Sequence, residues 1–215
     1  MNLTDVIQGK VKDDSGKLVE SDYTSALTEA LKRYSKHRPR LIVEDIAGTA
    51  THDLSLPAGW CDGFSSIISL EYPVGNVPET ILGSYDWTYY RMPAGQKLRL
   101  LELAPGISES IRAQYSALHT EATLPEVDQE AVANLAASFC LRQLAAAYGQ
   151  TGDSTIQADV VNYRSKTDEF RRLAESFEGL YKNHLGLKDA DTVPAASVTA
   201  RPAGSNRVRL THRFL

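Results

Sequence analysis

Cysteine is nearly absent from this chain of 215 residues: only Cys61 and Cys140 occur, far apart in sequence. Two distant thiols build no disulfide framework and exclude a metal site made from cysteine pairs. They fit synthesis in a reducing cytoplasm. Long apolar runs are also missing. None approaches the roughly 20 residues that a membrane span requires, and Met1-Asn2-Leu3-Thr4-Asp5 lacks the basic-then-apolar start of a secretory signal. The expectation is a soluble protein made in the cytoplasm without membrane contact.

Signatures of chemistry are scarce. The chain has no phosphate-binding lysine loop, no Gly-x-Gly-x-x-Gly, no Gly-x-Ser-x-Gly and no His-Glu-x-x-His. Its five histidines (His37, His52, His119, His184, His212) are scattered. Cys61, between Trp60 and Phe64, could serve as a nucleophile only if the fold supplied His52 or His119; a small buried hydrophobe is the better reading. Asp168 and Glu169 share a helical stretch with Arg171 and Arg172, which reads as a solvated charged face. No catalytic residue, metal site or cofactor is expected.

Acid is missing from one place only. From Thr192 to Leu215 there is no Asp or Glu and there are four arginines, Arg201, Arg207, Arg209 and Arg213. The other residues carry 19 Lys+Arg against 27 Asp+Glu, a net of −8. An acidic body is poorly suited to wrapping nucleic acid, whereas a basic end suits docking elsewhere. The ending Arg207-Val208-Arg209-Leu210-Thr211-His212-Arg213-Phe214-Leu215 alternates basic with apolar residues, as an added strand would. Such a segment buries too little surface to fold alone.

What is present divides into three textures. Leu3, Val6, Ile7 and Val11 mark a helix over 3–13, closed by the turn Asp13-Asp14-Ser15-Gly16. Ser21 reads as the N-cap of a helix over 21–37, with Tyr23, Leu27, Leu31 and Tyr34 on one face and Pro39 as its stop. From 40 to 120 the chain is broken into short β-prone runs: 41–43 and 52–56 about a turn at Gly48, a longer run over 64–72, and 110–118. Runs 87–92 and 97–102 about Pro93-Ala94-Gly95-Gln96 read as a hairpin. Together these predict one small, mostly antiparallel sheet. The aromatics Tyr85, Trp87, Tyr89 and Tyr90 are assigned to packing rather than to stacking on bases.

Helix returns over 126–148, with Val132, Leu135, Phe139, Leu144 and Tyr148 on one face and Gly149 and Gly152 as stops. A last helix over 155–185 carries Tyr163, Phe170, Ala174, Phe177 and Tyr181. Ser154 with Gln157, or a start near Asp159, would open it, and Gly186 would end it. Phe139 and Phe170 are expected in a shared core. The fold class is therefore α+β: a mainly helical body over 1–187 with an inserted β-region over 40–120, and an extended C-terminal arm over 188–215.

Several segments read in order carry a resemblance. They are Ala30-Leu31-Lys32-Arg33-Tyr34-Ser35-Lys36-His37-Arg38-Pro39, Leu54-Ser55-Leu56-Pro57-Ala58-Gly59-Trp60 and Glu71-Tyr72-Pro73. Tyr90-Arg91-Met92-Pro93-Ala94-Gly95 and Glu130-Ala131-Val132-Ala133-Asn134-Leu135-Ala136-Ala137 follow. The last is Gly152-Asp153-Ser154-Thr155-Ile156 through Tyr163-Arg164-Ser165-Lys166. Across roughly residues 3 to 187 the chain resembles head–tail adaptor (connector) proteins of tailed phages.

The resemblance implies a non-enzymatic virion protein at the head–tail junction, made in the host cytoplasm. It would form a ring, expected to be dodecameric, beneath the portal protein. That ring would continue a DNA channel without sequence-specific binding and offer a docking site to the next neck or tail-completion protein. The segment after Leu187 lies outside the matched pattern. Arg201, Arg207, Val208, Arg209, Leu210, Arg213 and Phe214 are its candidate portal-binding residues, expected to be disordered in the free subunit and to order on docking. The alternatives are another neck protein (a stopper or tail-completion subunit) and, behind it, a small hydrolase or a nucleic-acid-binding protein.

Overall fold

The structure, a computed structural model, describes residues 2–150 and 163–187. The fold is α+β, with four helices and two three-stranded antiparallel sheets among the described residues. Helix α1 (Leu3–Val11) buries Leu3, Ile7 and Val11. It stops two residues short of the predicted end because Lys12 turns left-handed at φ 47° and donates its N–H to the Gln8 carbonyl. The Asp13 carboxylate then takes the N–H groups of Ser15 (3.2 Å) and Leu18 (2.7 Å), which sets the turn before helix α2 (Glu20–His37).

Ser21 does not cap α2. The helix starts one residue earlier, and the Val19 N–H donates to the Asp22 carboxylate at 2.9 Å, so an acid inside the first turn satisfies the entering backbone. Tyr23, Leu27, Leu31 and Tyr34 are buried as the spacing predicts, with Ala26 and Ala30 between them.

The β-region departs from the single sheet expected. Strands β1 (Arg40–Ala47), β6 (Ser110–Ala117) and β3 (Ile67–Glu71) form one sheet in the order β1-β6-β3. Strands β2 (Asp53–Leu54), β5 (Gly95–Leu100) and β4 (Trp87–Met92) form another, in the order β2-β5-β4. The runs on either side of Gly48 therefore part company. There the backbone passes so close to Pro105 and Gly106 that an added Cβ would collide with the Gly106 carbonyl oxygen. Glycine permits that approach, and the chain crosses to the second sheet. The predicted hairpin is present but tighter than expected, since Met92 pairs with Gly95. Ile46, Ile67, Leu70, Ile111 and Ala113 from the first sheet meet Leu54, Leu98 and Leu100 from the second in one small core.

Helix α3 (Glu126–Gln150) runs through Gly149 instead of ending there, and Gly152 lies outside the described residues. It is not the one-faced helix the apolar stripe suggested. Ala131 through Ser138 are all buried, as are Cys140, Leu141, Leu144 and Tyr148. Small side chains explain this, because alanines let α1, α2 and helix α4 (Tyr163–Leu185) all approach closely. Gly186 ends α4 at φ 69°, and Leu187 donates its N–H to the Lys182 carbonyl. The 155–162 part of the predicted last helix, with its Ser154, Gln157 and Asp159 start signals, lies outside the described residues. Asp168 and Glu169 are exposed, as expected of a solvated face.

Phe139 and Phe170 both pack on the helical core, yet each is only partly buried. Phe170 stacks on Tyr148 with ring centroids 5.4 Å apart. Phe170→Ala should therefore cost about 2 kcal/mol in denaturant-induced unfolding, below the roughly 3–5 kcal/mol typical of a fully buried phenylalanine. The full value in the isolated protein would contradict this placement.

Candidate functional site

The C-terminal end of α2, the N-terminal end of α3 and the C-terminal end of α4 meet at one carboxylate. Asp128, in the first turn of α3, keeps only 3% of its surface exposed. It accepts hydrogen bonds from Tyr34 Oη (2.5 Å), Arg38 Nη1 (3.0 and 3.2 Å) and His184 Nε2 (2.7 Å). Burial by itself would raise the Asp128 pKa. The bonds from Tyr34 and His184 and the Arg38 charge outweigh it, so the carboxyl sits below its ordinary value. Burial, reinforced by the bond to Asp128, pushes the Tyr34 hydroxyl up to about 12. The site holds a fixed carboxylate in a pocket of donors, at the helix end where the dipole favours negative charge.

A second layer surrounds it. His37 Nδ1 lies 2.7 Å from Tyr181 Oη, joining α2 to α4. Glu178 on α4 meets Arg33 of α2 (3.1 Å), Arg142 of α3 and Lys182 (3.6 Å). Burial opposes ionisation of Glu178, but the charges of Arg142, Arg33 and Lys182 hold its pKa below the usual value. The link from β6 into α3 is pinned as well. The His119 N–H donates to Ser35 Oγ at 2.9 Å, the His119 ring meets Tyr34 edge-on, and the Leu3 N–H donates to Glu121 at 3.1 Å.

This geometry locates three chain connections at one end of the helical body. The β-region leaves it after Arg38 and returns before Glu126, and α4 ends beside Asp128, just before the segment from 188 onward. The cluster therefore ties together the end of α2, the start of α3 and the end of α4. Nothing in the sequence marks Asp128 apart from other first-turn acids. The available signal is the repeated occurrence of polar residues at apolar-phase positions: Tyr34, His37 and Tyr181.

Burial lowers the His37 pKa first, with Arg33 and Lys36 adding to it. A depressed folded-state pKa gives stability that is fully present above the ordinary value of about 6.5 and is lost as pH falls through the lower one. Melting temperature should accordingly fall as pH drops below the ordinary value of about 6.5, and His37→Gln should flatten that part of the profile. A slope unchanged by the substitution would assign it elsewhere.

Other residues singled out by sequence are dispersed. His52 Nδ1 is 3.0 Å from the Leu103 carbonyl, His119 Nδ1 is 3.1 Å from the Thr123 carbonyl, and the Cys61 N–H donates to Ser65 Oγ. No hydrogen bond joins Cys61 to either ring among the described residues. Trp87 is partly buried against the small sheet core, in line with the packing role expected of it, whereas Tyr89, which meets the rings of Trp60 and Trp87, remains exposed. Tyr90 covers the guanidinium of Arg99 at 3.4 Å, and Arg99 is in turn held by both oxygens of Asp53. Tyr85 is exposed. Arg201, Arg207, Val208, Arg209, Leu210, Arg213 and Phe214 lie outside the described residues. Among those described, no group of His, Cys, Asp and Glu is placed to hold a metal ion, and no helix is long and apolar enough to cross a membrane.

No family model matches the chain, and no curated protein matches it. Among solved structures it is similar to a chain of the "Virion of native gene transfer agent (GTA) particle". The two are 14% identical, over 78% of this chain and 88% of that one, with a TM-score of 0.31. A likeness at that level does not establish a shared fold.

Proposed function

We propose that the chain is a structural subunit of a phage-like virion and, more specifically, the head–tail adaptor that forms a ring below the portal. The observation that carries this reading is the architecture. The resemblance to head–tail adaptors implies a helical body with an inserted β-region, and two N-terminal helices, an antiparallel β-region and two long C-terminal helices have that form. Charge supports it: an acidic body lets a channel wall repel phosphate, so that DNA slides through instead of adhering. The arginine-bearing segment after Thr192 is left to grip an acidic groove on the portal, and its alternating pattern suits addition to an open sheet edge.

In this role the protein acts by geometry and not by catalysis, and no metal or cofactor takes part. Leu173 and Leu180, seven residues apart on α4, are both exposed and offer an apolar stripe for lateral packing between ring neighbours. Negative-stain microscopy of the full-length protein mixed with portal rings should show an added ring at one portal face. A portal that stays bare at saturating protein would reject the adaptor reading in favour of another neck position.

A further inference from the structure

Among the described residues, the β1 edge of the first sheet is open. At the opposite edge, β3 is covered by the Glu71–Ile81 bridge and by bonds from Tyr72 N–H to the Thr80 carbonyl and from Leu82 N–H to the Leu70 carbonyl. No such cover lies on β1 among the described residues. The bond from Gly48 N–H to the Glu109 carbonyl fixes the phase of the β1–β6 ladder. Gly48 is a hydrogen-bonded partner of Glu109, so Ile46, Glu44 and Ile42 also bond to β6, while Leu41, Val43 and Asp45 direct their N–H and C=O groups outward. The outward-bonding residues include two exposed aliphatics, Leu41 at 54% and Val43 at 58%. Edges are ordinarily blunted by lysine, proline, bulges or brevity. This one is eight residues long, regular along its pairing with β6, and apolar at its centre.

Arg40-Leu41-Ile42-Val43-Glu44 is complementary to itself. Laid antiparallel on a second copy about Ile42, it sets Leu41 against Val43 of the second copy and Arg40 against Glu44 of the second copy, each contact twice. The backbone phase permits this register, since Leu41 and Val43 both point outward and can exchange hydrogen bonds. A shift by one residue sets outward groups against inward ones and forms no ladder. Centring on Val43 sets Leu41 against Asp45, and centring on Leu41 sets Val43 against Pro39, which has no N–H. Glu44 is already steadied by Tyr115 Oη and by the Ala58 N–H, both at 3.0 Å, and retains capacity to accept from an arginine.

We propose that two copies of this chain pair through β1 about a two-fold axis at Ile42, making a continuous sheet of β3-β6-β1 from each. A two-fold contact requires one patch that fits itself, and this pentapeptide is such a patch. The inference stands apart from the adaptor reading, because it concerns the free protein and uses none of the C-terminal segment.

Sedimentation velocity of the full-length chain over a concentration series should show a reversible monomer–dimer equilibrium. Val43→Lys, on the exposed face where folding tolerates it, should weaken association by about tenfold or more. In a Cys61→Ser background, Ile42→Cys should form a disulfide dimer on mild oxidation. Facing residues of a non-hydrogen-bonded pair lie about 4.5 Å apart at Cα, inside the disulfide window. Val43→Cys should not, since its nearest copy lies diagonally, at about 7–8 Å. A chain monomeric throughout the series overturns the proposal, as does association indifferent to Val43→Lys or equal cross-linking at both positions. Dimers that appear only after removal of Thr192–Leu215 would give the edge to that segment and overturn it too. A chain that decorates portals as rings yet stays monomeric throughout the concentration series would leave the adaptor reading intact while β1 pairing fails.

Discussion

Asp128→Ala is expected to destabilise the helical body by about 2–3 kcal/mol, the upper part of the range for leaving a buried donor without its acceptor. Three groups lose their acceptor together. Tyr34 Oη belongs to a side chain that is 1% exposed, so its hydroxyl cannot turn to water and carries the cost of an unmet buried donor. Arg38 and His184 are each partly exposed and recover hydration, which keeps the loss within that range. Asp128→Asn keeps an acceptor for Tyr34 but surrenders the charge facing Arg38, and should cost less. Chemical denaturation at pH 7 measures both. Because the Asp128 pKa is depressed, its contribution is present above the ordinary carboxylate value of about 3.9 and lost as pH falls through the lower one. The difference between wild type and Asp128→Asn should therefore shrink below about pH 4. Equal stability of wild type and Asp128→Ala at pH 7 would reduce the cluster to a surface ion pair.

Removal of Thr192–Leu215 should have the largest functional effect and little effect on folding. Every described element ends by Leu187, and the residues packed last on the helical core, Leu185 and Leu187, lie upstream of the cut. The truncated chain should melt within a few degrees of the full-length one. In the proposed role, heads should still fill with DNA but fail to retain it or to accept tails, since the adaptor would not stay attached. Charge reversal at Arg207 and Arg209 should weaken attachment in a salt-dependent way, because screening acts on exposed pairs. Truncated protein that decorates heads as well as the full chain would move portal docking to the helical body.

Much of the molecule was legible from local pattern. The stripe Tyr23, Leu27, Leu31, Tyr34 declared α2, Pro39 its end and Gly186 the end of α4, because helical periodicity and backbone stops act within a few residues. Segregation of charge between the acidic remainder and the acid-free Thr192–Leu215 is a property of sequence alone. Ser21 misled because a short hydroxyl side chain is only one way to satisfy a helix start, and Asp22 satisfies this one from inside the first turn. Two sheets replaced the expected single one because alternation shows which side chains share a face and is silent about which strands are neighbours. The breadth of burial on α3 was hidden by its alanines, whose size invites contact on every side without announcing a face.

The sequence by itself determined the helices, their order about an inserted β-region, and the charge contrast of the C-terminal segment, since each depends on neighbours along the chain. Only the tertiary structure decided the Asp128 cluster and the open β1 edge. Asp128 draws donors from 94, 90 and 56 residues away, and no window along the chain contains them together. The openness of β1 depends on what the other described residues leave uncovered, and that is settled only once their strands have taken their places.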